Sequence, residues 1–245
     1  MKFSIITCYH GDARGLSWTA KSLALQMDAK DFEWIVVHDE GADLSTLLGE
    51  NSTLVNRSFA ARKGYEITAL NEALTAASGD YLWLIEAGVC FADSATLRNV
   101  SRELVHHLNP DCLYGAMRVD GKMMPPRLGA ALLYGPATHL SGMLFKRNAL
   151  GDVRFEADTP APDYLFMLQF FEKAQKIDVV FRIFCDVPEA ETYVQALQRK
   201  QAFTVVRRRF VRLNKWQDFM ATLRQNLSLW SQYRFELLKR LVKAD

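Results

Sequence analysis

The chain has 245 residues, of which 49% are hydrophobic and 24% are charged, and its formal net charge is +2. This composition is ordinary for a globular protein and sufficient for a complete hydrophobic core, and the length suits one α/β domain with an appendage. No window approaches the ~18 uninterrupted apolar residues that a membrane-spanning helix needs.

The cysteines and the N-terminal segment bear on the compartment. Four cysteines stand at wide spacings without a Cys-x-x-Cys pair, which argues against metal or redox motifs and favours free thiols. The apolar start is broken at residues 10–12 and has no cleavage-like sequel, so no signal peptide is predicted. We therefore expect a cytoplasmic protein that is either free or bound to the inner face of the cell membrane.

The charge is unevenly distributed along the chain. Residues 196–245 hold 12 Lys and Arg against 3 Asp and Glu, a net charge of +9, which leaves a net charge of −7 on residues 1–195. The sequence thus predicts an acidic body with a basic C-terminal region. An acidic body without a recognised nucleic-acid-binding module argues against a nucleic-acid partner.

Apolar periodicity predicts an alternation of strands and helices, followed by a helical C-terminal region. The predicted strands are 2–7, 33–38, 53–56, 81–86, 113–119, 142–146 and 179–184. The predicted helices are 16–26, 67–77, 93–107 and 162–175, and an irregular loop is expected over 121–142. Helical spacing resumes after Pro188, with a break at Asn214, and places the boundary between a body (1–188) and a C-terminal region (189–245).

The first strand, helix and strand form a predicted βαβ unit, in which the two strands are parallel neighbours. Their carboxyl ends then share one edge of the sheet, where open α/β sheets bind ligands. The side chains of Thr7, Tyr9, His38 and Asp39 are expected to meet there. This arrangement predicts a nucleotide site.

The amino-acid sequences of several segments resemble those of glycosyltransferase family 2. The matching stretches are Ser4–Thr7, Ser22–Gln26, Phe32–Val37, Gly79–Leu84 and Ala161–Tyr164, in the order in which the family has them. The resemblance covers about residues 2–186 and is greatest to bacterial transferases that build capsule, exopolysaccharide or lipopolysaccharide.

The resemblance implies an α/β fold of the GT-A type: a Rossmann-like, mixed but mostly parallel sheet flanked by helices, here with a helical C-terminal appendage. It also implies an inverting glycosyltransferase that moves a sugar from a UDP- or GDP-linked donor to a surface-polysaccharide or lipid-linked acceptor. The alternative is a non-catalytic GT-A relative that binds nucleotide sugars or scaffolds a partner transferase.

By resemblance, Thr7, Tyr9 and Asp39 occupy positions that hold the base and ribose of the donor. The family usually has Asp where this chain has His38, so either His38 or the Asp39 that follows it is expected to do this work. A turn of no binding function at Asp39 is the alternative.

Two further segments match positions around the donor. Asn71 matches the family's "Ala-x-Asn" on a helix that bears part of the sugar-nucleotide pocket. Arg62, next to Lys63, precedes that helix and is either a phosphate contact or a solvated charge.

The largest departure from the family comes at the end of the fourth predicted strand, 81–86. The family usually has an Asp-x-Asp-like signature there that binds a divalent metal, whereas this chain reads Ile85-Glu86-Ala87-Gly88-Val89. Glu86 remains at the first position, Ala87 beside it is a further substrate-binding candidate, and the expected second acid is replaced by Gly88 or Val89. Mn²⁺ or Mg²⁺ would be held by Glu86 and the donor diphosphate alone, so no complete metal site is predicted.

Asp163 matches the family's general base, which deprotonates the acceptor hydroxyl. A helix N-cap is the structural alternative for the same carboxylate. His139 resembles a family segment that precedes a strand, where it would either contact phosphate or acceptor or serve a structural purpose.

The C-terminal region is basic and amphipathic. Arginines at 207–209 and 212 alternate with apolar residues at helical spacing, and a second apolar series runs from Trp216 to Trp230. Such a region binds an anionic membrane surface, or it packs on the body or on a second copy of the chain while its arginines are solvated. The sequence does not choose between these.

Overall fold

The computed structural model describes residues 2–26, 31–64, 66–126, 140–187 and 193–242. Within these ranges the chain forms one nine-stranded sheet, with helices packed on both of its faces. The predicted fold class is confirmed: a mixed, mostly parallel α/β sheet with a helical C-terminal appendage.

Strands and helices alternate through most of the described chain. The strands are β1 (Phe3–Tyr9), β2 (Phe32–Asp39), β3 (Val55–Ala61), β4 (Tyr81–Glu86), β5 (Cys90–Phe91), β6 (Cys112–Val119), β7 (Lys122–Met124), β8 (Met143–Lys146) and β9 (Ile177–Val187). The helices are α1 (Ala13–Ala24), α2 (Leu44–Leu48), α3 (Glu66–Ala76), α4 (Thr96–His106), α5 (Arg147–Leu150), α6 (Pro162–Lys173), α7 (Tyr193–Phe210) and α8 (Lys215–Val242).

The order of strands places a ligand-binding edge at β1. The sheet runs β3-β2-β1-β4-β8-β6-β9-β5, with β7 beside β6, and β1 pairs in parallel with both β2 and β4. The chain builds outward from β1 through β2 and β3, then crosses to the other side of β1 to form β4. The carboxyl ends of β1 and β4 therefore lie at the topological switch point, where open α/β sheets bind ligands.

Helix α1 is fixed against the loop that follows β4. Asp12 caps α1, since its Oδ1 accepts a hydrogen bond from the Gly15 amide at 2.8 Å. The buried Thr19 hydroxyl donates to the Val89 carbonyl at 2.8 Å and accepts from the Gly88 amide at 3.0 Å. The start of α1 and the loop after β4 thus form one rigid edge.

The opposite end of the parallel strands is fixed by the buried carboxylate of Glu33. Its Oε1 accepts hydrogen bonds from the Ser4 hydroxyl and from the amides of Ser78 and Gly79. Burial by itself raises the pKa of Glu33, but the hydrogen bonds from Ser4 and Ser78, together with the charge of Lys2, outweigh it and the pKa is lowered. The backbone after α3 approaches β1 so closely that a Cβ at Gly79 would lie 2.5 Å from the Ser4 nitrogen.

Several elements differ from those predicted. Strand β3 begins at Val55 and runs to Ala61, because residues Gly49–Leu54 form a 3₁₀ turn. Strands β5 and β7, of two and three residues, are too short to give a periodic signal. The predicted irregular loop 121–142 contains β7 and a 3₁₀ turn at Leu140–Gly142, and its residues 127–139 lie outside the described part.

Helix α7 packs directly on the body. Phe203 and Val206 are buried in the same apolar cluster as Tyr164 of α6, and the rings of Phe203 and Tyr164 are 4.9 Å apart. The predicted break at Asn214 is observed, and the Asn214 side chain accepts from the amide of Gln217 in the first turn of α8. The division at residue 188 remains a prediction, although α7 shares the core of the body.

Arg207 is an exception to both interpretations of the basic region, because it neither faces lipid nor is solvated. Its side chain is fully buried between α7 and α8, where its guanidinium donates to Asp218, Thr222 and Gln225. Its neighbour Arg208 donates to the other Asp218 oxygen at 2.9 Å but is 60% exposed. Burial raises the pKa of Asp218, and the two arginines together lower it by more.

Candidate active site

A cleft of about 350 Å³ lies at the carboxyl ends of β1 and β4. Its walls come from these strand ends, the 3₁₀ turn before β8, and the first turns of α3 and α6. The polar side chains that line it include His10, Asp12, Glu86, Ser141 and Asp163. Both the size and the position at the switch point are typical of small-molecule sites.

The alternation of side chains along β1 decides which residues reach the cleft. Ile6, Cys8 and His10 line it, since residues two apart along a strand point to the same side. Thr7 and Tyr9 therefore point to the opposite face of the sheet. Neither side chain lines this cleft, and their predicted place in the donor site remains a prediction.

The buried Thr7 and Tyr9 have structural contacts instead. The Thr7 hydroxyl accepts a hydrogen bond from the Trp34 indole nitrogen at 3.0 Å, inside the core. The Tyr9 side chain is buried in the apolar cluster beneath α1. Both residues thus have contacts within the protein, which explain why the sequence places them at the end of β1.

On β2, Asp39 approaches the cleft and His38 does not. The Asp39 Oδ1 lies 3.3 Å from Nδ1 of His10, which lines the cleft. The His38 ring is turned to the backbone, with Nδ1 3.0 Å from the Asp39 carbonyl oxygen. Asp39 is thus connected to the cleft through His10, and the choice between His38 and Asp39 as the donor contact remains a prediction.

Arg62 and Asn71 lie outside the lining of the cleft. The Arg62 side chain is 77% exposed and its Nε is 3.5 Å from the Glu40 carboxylate, as expected of a surface charge. The Asn71 amide donates to the Phe155 carbonyl and accepts from the Phe155 amide, both at 2.9 Å. Asn71 therefore positions Phe155, which lines the cleft, and a direct contact between Asn71 and the donor remains a prediction.

Glu86 and Ala87 line the cleft at the end of β4, and Gly88 and Val89 follow them. Gly88 has φ +98°, a conformation that L-residues rarely adopt, and a Cβ there would lie 3.8 Å from the Gly15 Cα. Among the described residues no group of three or more His, Cys, Asp or Glu could hold a metal ion.

Asp163 is the second residue of α6 and lines the cleft. The N-cap position belongs to Ala161, so Asp163 is not the cap that the sequence offered as an alternative. Burial raises the pKa of the Asp163 carboxyl, and the nearby charge of Glu86 raises it further. Backbone amides at the start of α6 and the positive charge of Arg199 oppose this rise without cancelling it.

Arg199 of α7 acts on the site from the C-terminal region. Its guanidinium lies 5.8 Å from the centroid of the Phe203 ring, which in turn packs against Tyr164, the residue after Asp163. The local sequence does not indicate that Arg199 affects this site, because only the packing of α7 on α6 brings it near the cleft.

Sequence reasoning also missed His10, Asp12, Ser141 and Phe155. His10 and Asp12 follow the first strand directly, so their position after a predicted switch-point strand was a usable signal. The buried Ser141 hydroxyl has no hydrogen-bond partner among the residues that the structure describes, and it lines the cleft. It is therefore available to a bound ligand.

Two other predictions concern residues near the cleft. Burial, with a smaller contribution from Glu86, raises the pKa of the Cys8 thiol to about 12, so this side chain is a neutral thiol at physiological pH. His139 lies outside the described residues, and its contact with phosphate or acceptor remains a prediction.

Comparisons with known proteins agree with this architecture. No protein-family model matches the chain, and no curated protein matches it by sequence. Among solved structures, residues 1–349 of S. aureus TarS in complex with UDP superpose with a TM-score of 0.67 at 18% identity, covering 94% of this chain and 72% of that one. This chain has the GT-A glycosyltransferase fold.

Two further structures extend the similarity. The mannosyltransferase PcManGT from Pyrobaculum calidifontis, in complex with GDP-Man and Mn²⁺, matches with a TM-score of 0.66 at 18% identity, over 93% of this chain and 69% of that one. Glucosyl-3-phosphoglycerate synthase from Mycobacterium tuberculosis matches with a TM-score of 0.59 at 14% identity, over 87% of this chain and 81% of that one. Likeness at these identities establishes the fold, and the chemistry depends on this chain's own cleft.

Proposed function

We propose that this chain is an inverting glycosyltransferase, which moves a sugar from a nucleotide-sugar donor to an acceptor hydroxyl. The observation that carries the proposal is the position of Asp163. Its carboxylate has a raised pKa and lies beside Glu86 in a cleft at the switch point of a GT-A sheet. A general base needs this combination of access and elevated basicity.

In the proposed reaction Asp163 accepts the proton of the acceptor hydroxyl while that oxygen attacks the anomeric carbon of the donor sugar. The new carbon–oxygen bond forms on one face of the sugar. The bond from the anomeric carbon to the diphosphate oxygen breaks on the other face, and the nucleoside diphosphate leaves with the electron pair. Attack opposite the leaving group inverts the anomeric configuration.

The leaving diphosphate carries charge that the cleft must balance. We propose that two side chains contribute to this: His10, whose Nδ1 lies 3.3 Å from Asp39 Oδ1, and Arg199 of α7, whose positive charge reaches Asp163. The Ser141 hydroxyl supplies a further hydrogen bond to the donor. Preorganised donors of this kind stabilise charge that develops in the transition state.

The proposed donor is a UDP- or GDP-linked sugar. TarS has been crystallised with UDP and with UDP-GlcNAc, and PcManGT with GDP-Man. The proposed acceptor is a saccharide of a surface polysaccharide, either free or lipid-linked at the inner face of the cell membrane. This acceptor class follows from the sequence resemblance to bacterial transferases that build such polymers.

The test begins with a thermal-shift screen of UDP-GlcNAc, UDP-glucose and GDP-mannose, because a ligand that binds the folded state raises Tm. Release of nucleoside diphosphate from the best donor is then measured for wild type and Asp163→Asn, with and without Mn²⁺. An amide cannot take the proton, so we expect kcat to fall by about 10²–10⁴-fold, while the donor Kd from calorimetry stays unchanged.

Asp158→Asn is the matched control, since Asp158 is an exposed acid near Asp163 that does not line the cleft. It should retain wild-type turnover. Equal turnover by wild type and Asp163→Asn would refute the role of Asp163.

A second candidate function is a non-catalytic GT-A relative that binds nucleotide sugars or scaffolds a partner transferase. It is favoured by the loss of the family's second acid, which Gly88 or Val89 replaces. Donor binding by wild type with no turnover against any acceptor would favour this alternative over transfer.

A further inference from the structure

The second helix of the C-terminal pair carries an exposed apolar ridge. The ridge consists of large side chains on one face of α8, at 38–68% relative exposure: Trp216, Phe219, Leu223, Leu227 and Trp230. Helical spacing aligns them on one side. The two tryptophans lie about 21 Å apart along the axis, since each residue rises about 1.5 Å.

The apolar stripes of α7 and α8 have different environments. In α7, Phe203 and Val206 are buried against the body, as one interpretation of the sequence predicted. In α8, the side that faces α7 carries Asp218, Ala221 and Gln225, and the ridge points the other way. The ridge therefore has no partner among the described residues. A contiguous exposed patch of five large apolar side chains is typical of an interaction site.

The charge around the ridge is strongly positive. Residues 193–233 contain eight Lys and Arg but a single acid, Asp218, whose carboxylate is bound by Arg207 and Arg208. Exposed basic side chains stand on α8 at Lys215 and Arg224 and at the end of α7. An apolar ridge with aromatic ends and cationic flanks is complementary to a surface that is anionic outside and apolar beneath.

We propose that this ridge docks the protein on an anionic phospholipid surface, with α8 lying in the plane of the headgroups. The tryptophans and leucines enter the boundary between headgroups and acyl chains, and the basic side chains contact lipid phosphates. Pairing of two ridges face to face is disfavoured because it would bring two strongly positive helix pairs together. No helix in the described part of the chain is long and apolar enough to cross a membrane.

The proposal is tested by co-sedimentation of the full chain with phosphatidylcholine vesicles, with and without about 30% phosphatidylglycerol. We expect binding to the anionic vesicles that weakens as NaCl rises from about 0.1 M to about 0.5 M. The double variant Trp216→Ser/Trp230→Ser should lower the partition coefficient by at least about tenfold. Loss of one basic charge, in Lys215→Gln, should lower it by about fivefold.

The matched control is Phe181→Ser, which removes an aromatic side chain that is 70% exposed on β9, away from the ridge. It should bind vesicles as wild type does, and circular dichroism checks that every variant is folded. Failure of wild type to bind anionic vesicles would overturn the proposal. So would a dimer by light scattering that the double tryptophan variant converts to monomers, because the ridge would then be a subunit interface.

Discussion

Replacement of Arg207 should destabilise the protein far more than replacement of the adjacent Arg208, although both donate to Asp218. Arg207 is fully buried, and its hydrogen bonds include those to Asp218 (3.1 and 2.8 Å), Thr222 (2.8 Å) and Gln225 (3.1 Å). Arg207→Met keeps much of the side-chain volume but removes these hydrogen bonds, so that Asp218 keeps the pair with Arg208 and Gln225 keeps the hydrogen bond from Thr204. Breaking a buried ion pair costs about 3–5 kcal/mol, whereas loss of an exposed pair costs about 0–1 kcal/mol.

The assay is urea unfolding of wild type, Arg207→Met and Arg208→Met, followed by circular dichroism and fluorescence. The expected loss in the free energy of unfolding for Arg207→Met can also be measured by thermal unfolding. It corresponds there to a fall in Tm of roughly 6–20 °C, at about 2–4 °C for each kcal/mol in a chain of this size. Asp218→Leu added to Arg207→Met should recover part of the lost free energy of unfolding, since the carboxylate that Arg207 had bound is then absent.

The acid dependence adds a second check on the same pair. Because the pKa of Asp218 is lowered in the folded state, its stabilising effect is present above the unfolded value of 3.8 and is lost as the pH falls through the folded value. The difference between wild type and Arg207→Met should therefore shrink in acid. Equal stability losses for the Arg207 and Arg208 variants would refute the importance of burial.

Three further predictions concern the cleft. Since the charge of Glu86 raises the pKa of Asp163, Glu86→Gln should move the acid limb of the kcat–pH profile to lower pH. Gly88→Asp, which restores the family's second acid, should cost about 1–2 kcal/mol in urea unfolding because φ at this position is +98°. Asn71→Leu removes both hydrogen bonds to Phe155 and should lower stability by about 1–3 kcal/mol and raise the donor KM.

Each of these predictions has a contrasting outcome. An acid limb that does not move in Glu86→Gln would mean that its charge does not reach the base. Gly88→Ala separates backbone strain from carboxylate chemistry, so an Ala variant as stable as wild type would contradict the strain. An unchanged donor KM in Asn71→Leu, despite a lowered Tm, would remove Phe155 from the donor site.

The sequence by itself determined the fold and the edge of the sheet that carries the site. The βαβ pattern at the N-terminus makes β1 and β2 parallel neighbours, and handedness leaves their carboxyl ends together. Glu86 and Asp163 could be placed because each stands where an element begins or ends, a position that motif order and turn chemistry reveal. The helical C-terminal region, with its break at Asn214, followed from apolar spacing alone.

Only the tertiary structure decided which side chains point into the cleft. Strand β1 is buried on both faces, so it lacks the polar alternation that would distinguish Thr7 and Tyr9 from Cys8 and His10. A shift of one residue along such a strand exchanges the two faces, and no local signal reports it. The contribution of Arg199 likewise depends on the docking of α7 against α6, and such long-range packing leaves no local pattern in the sequence.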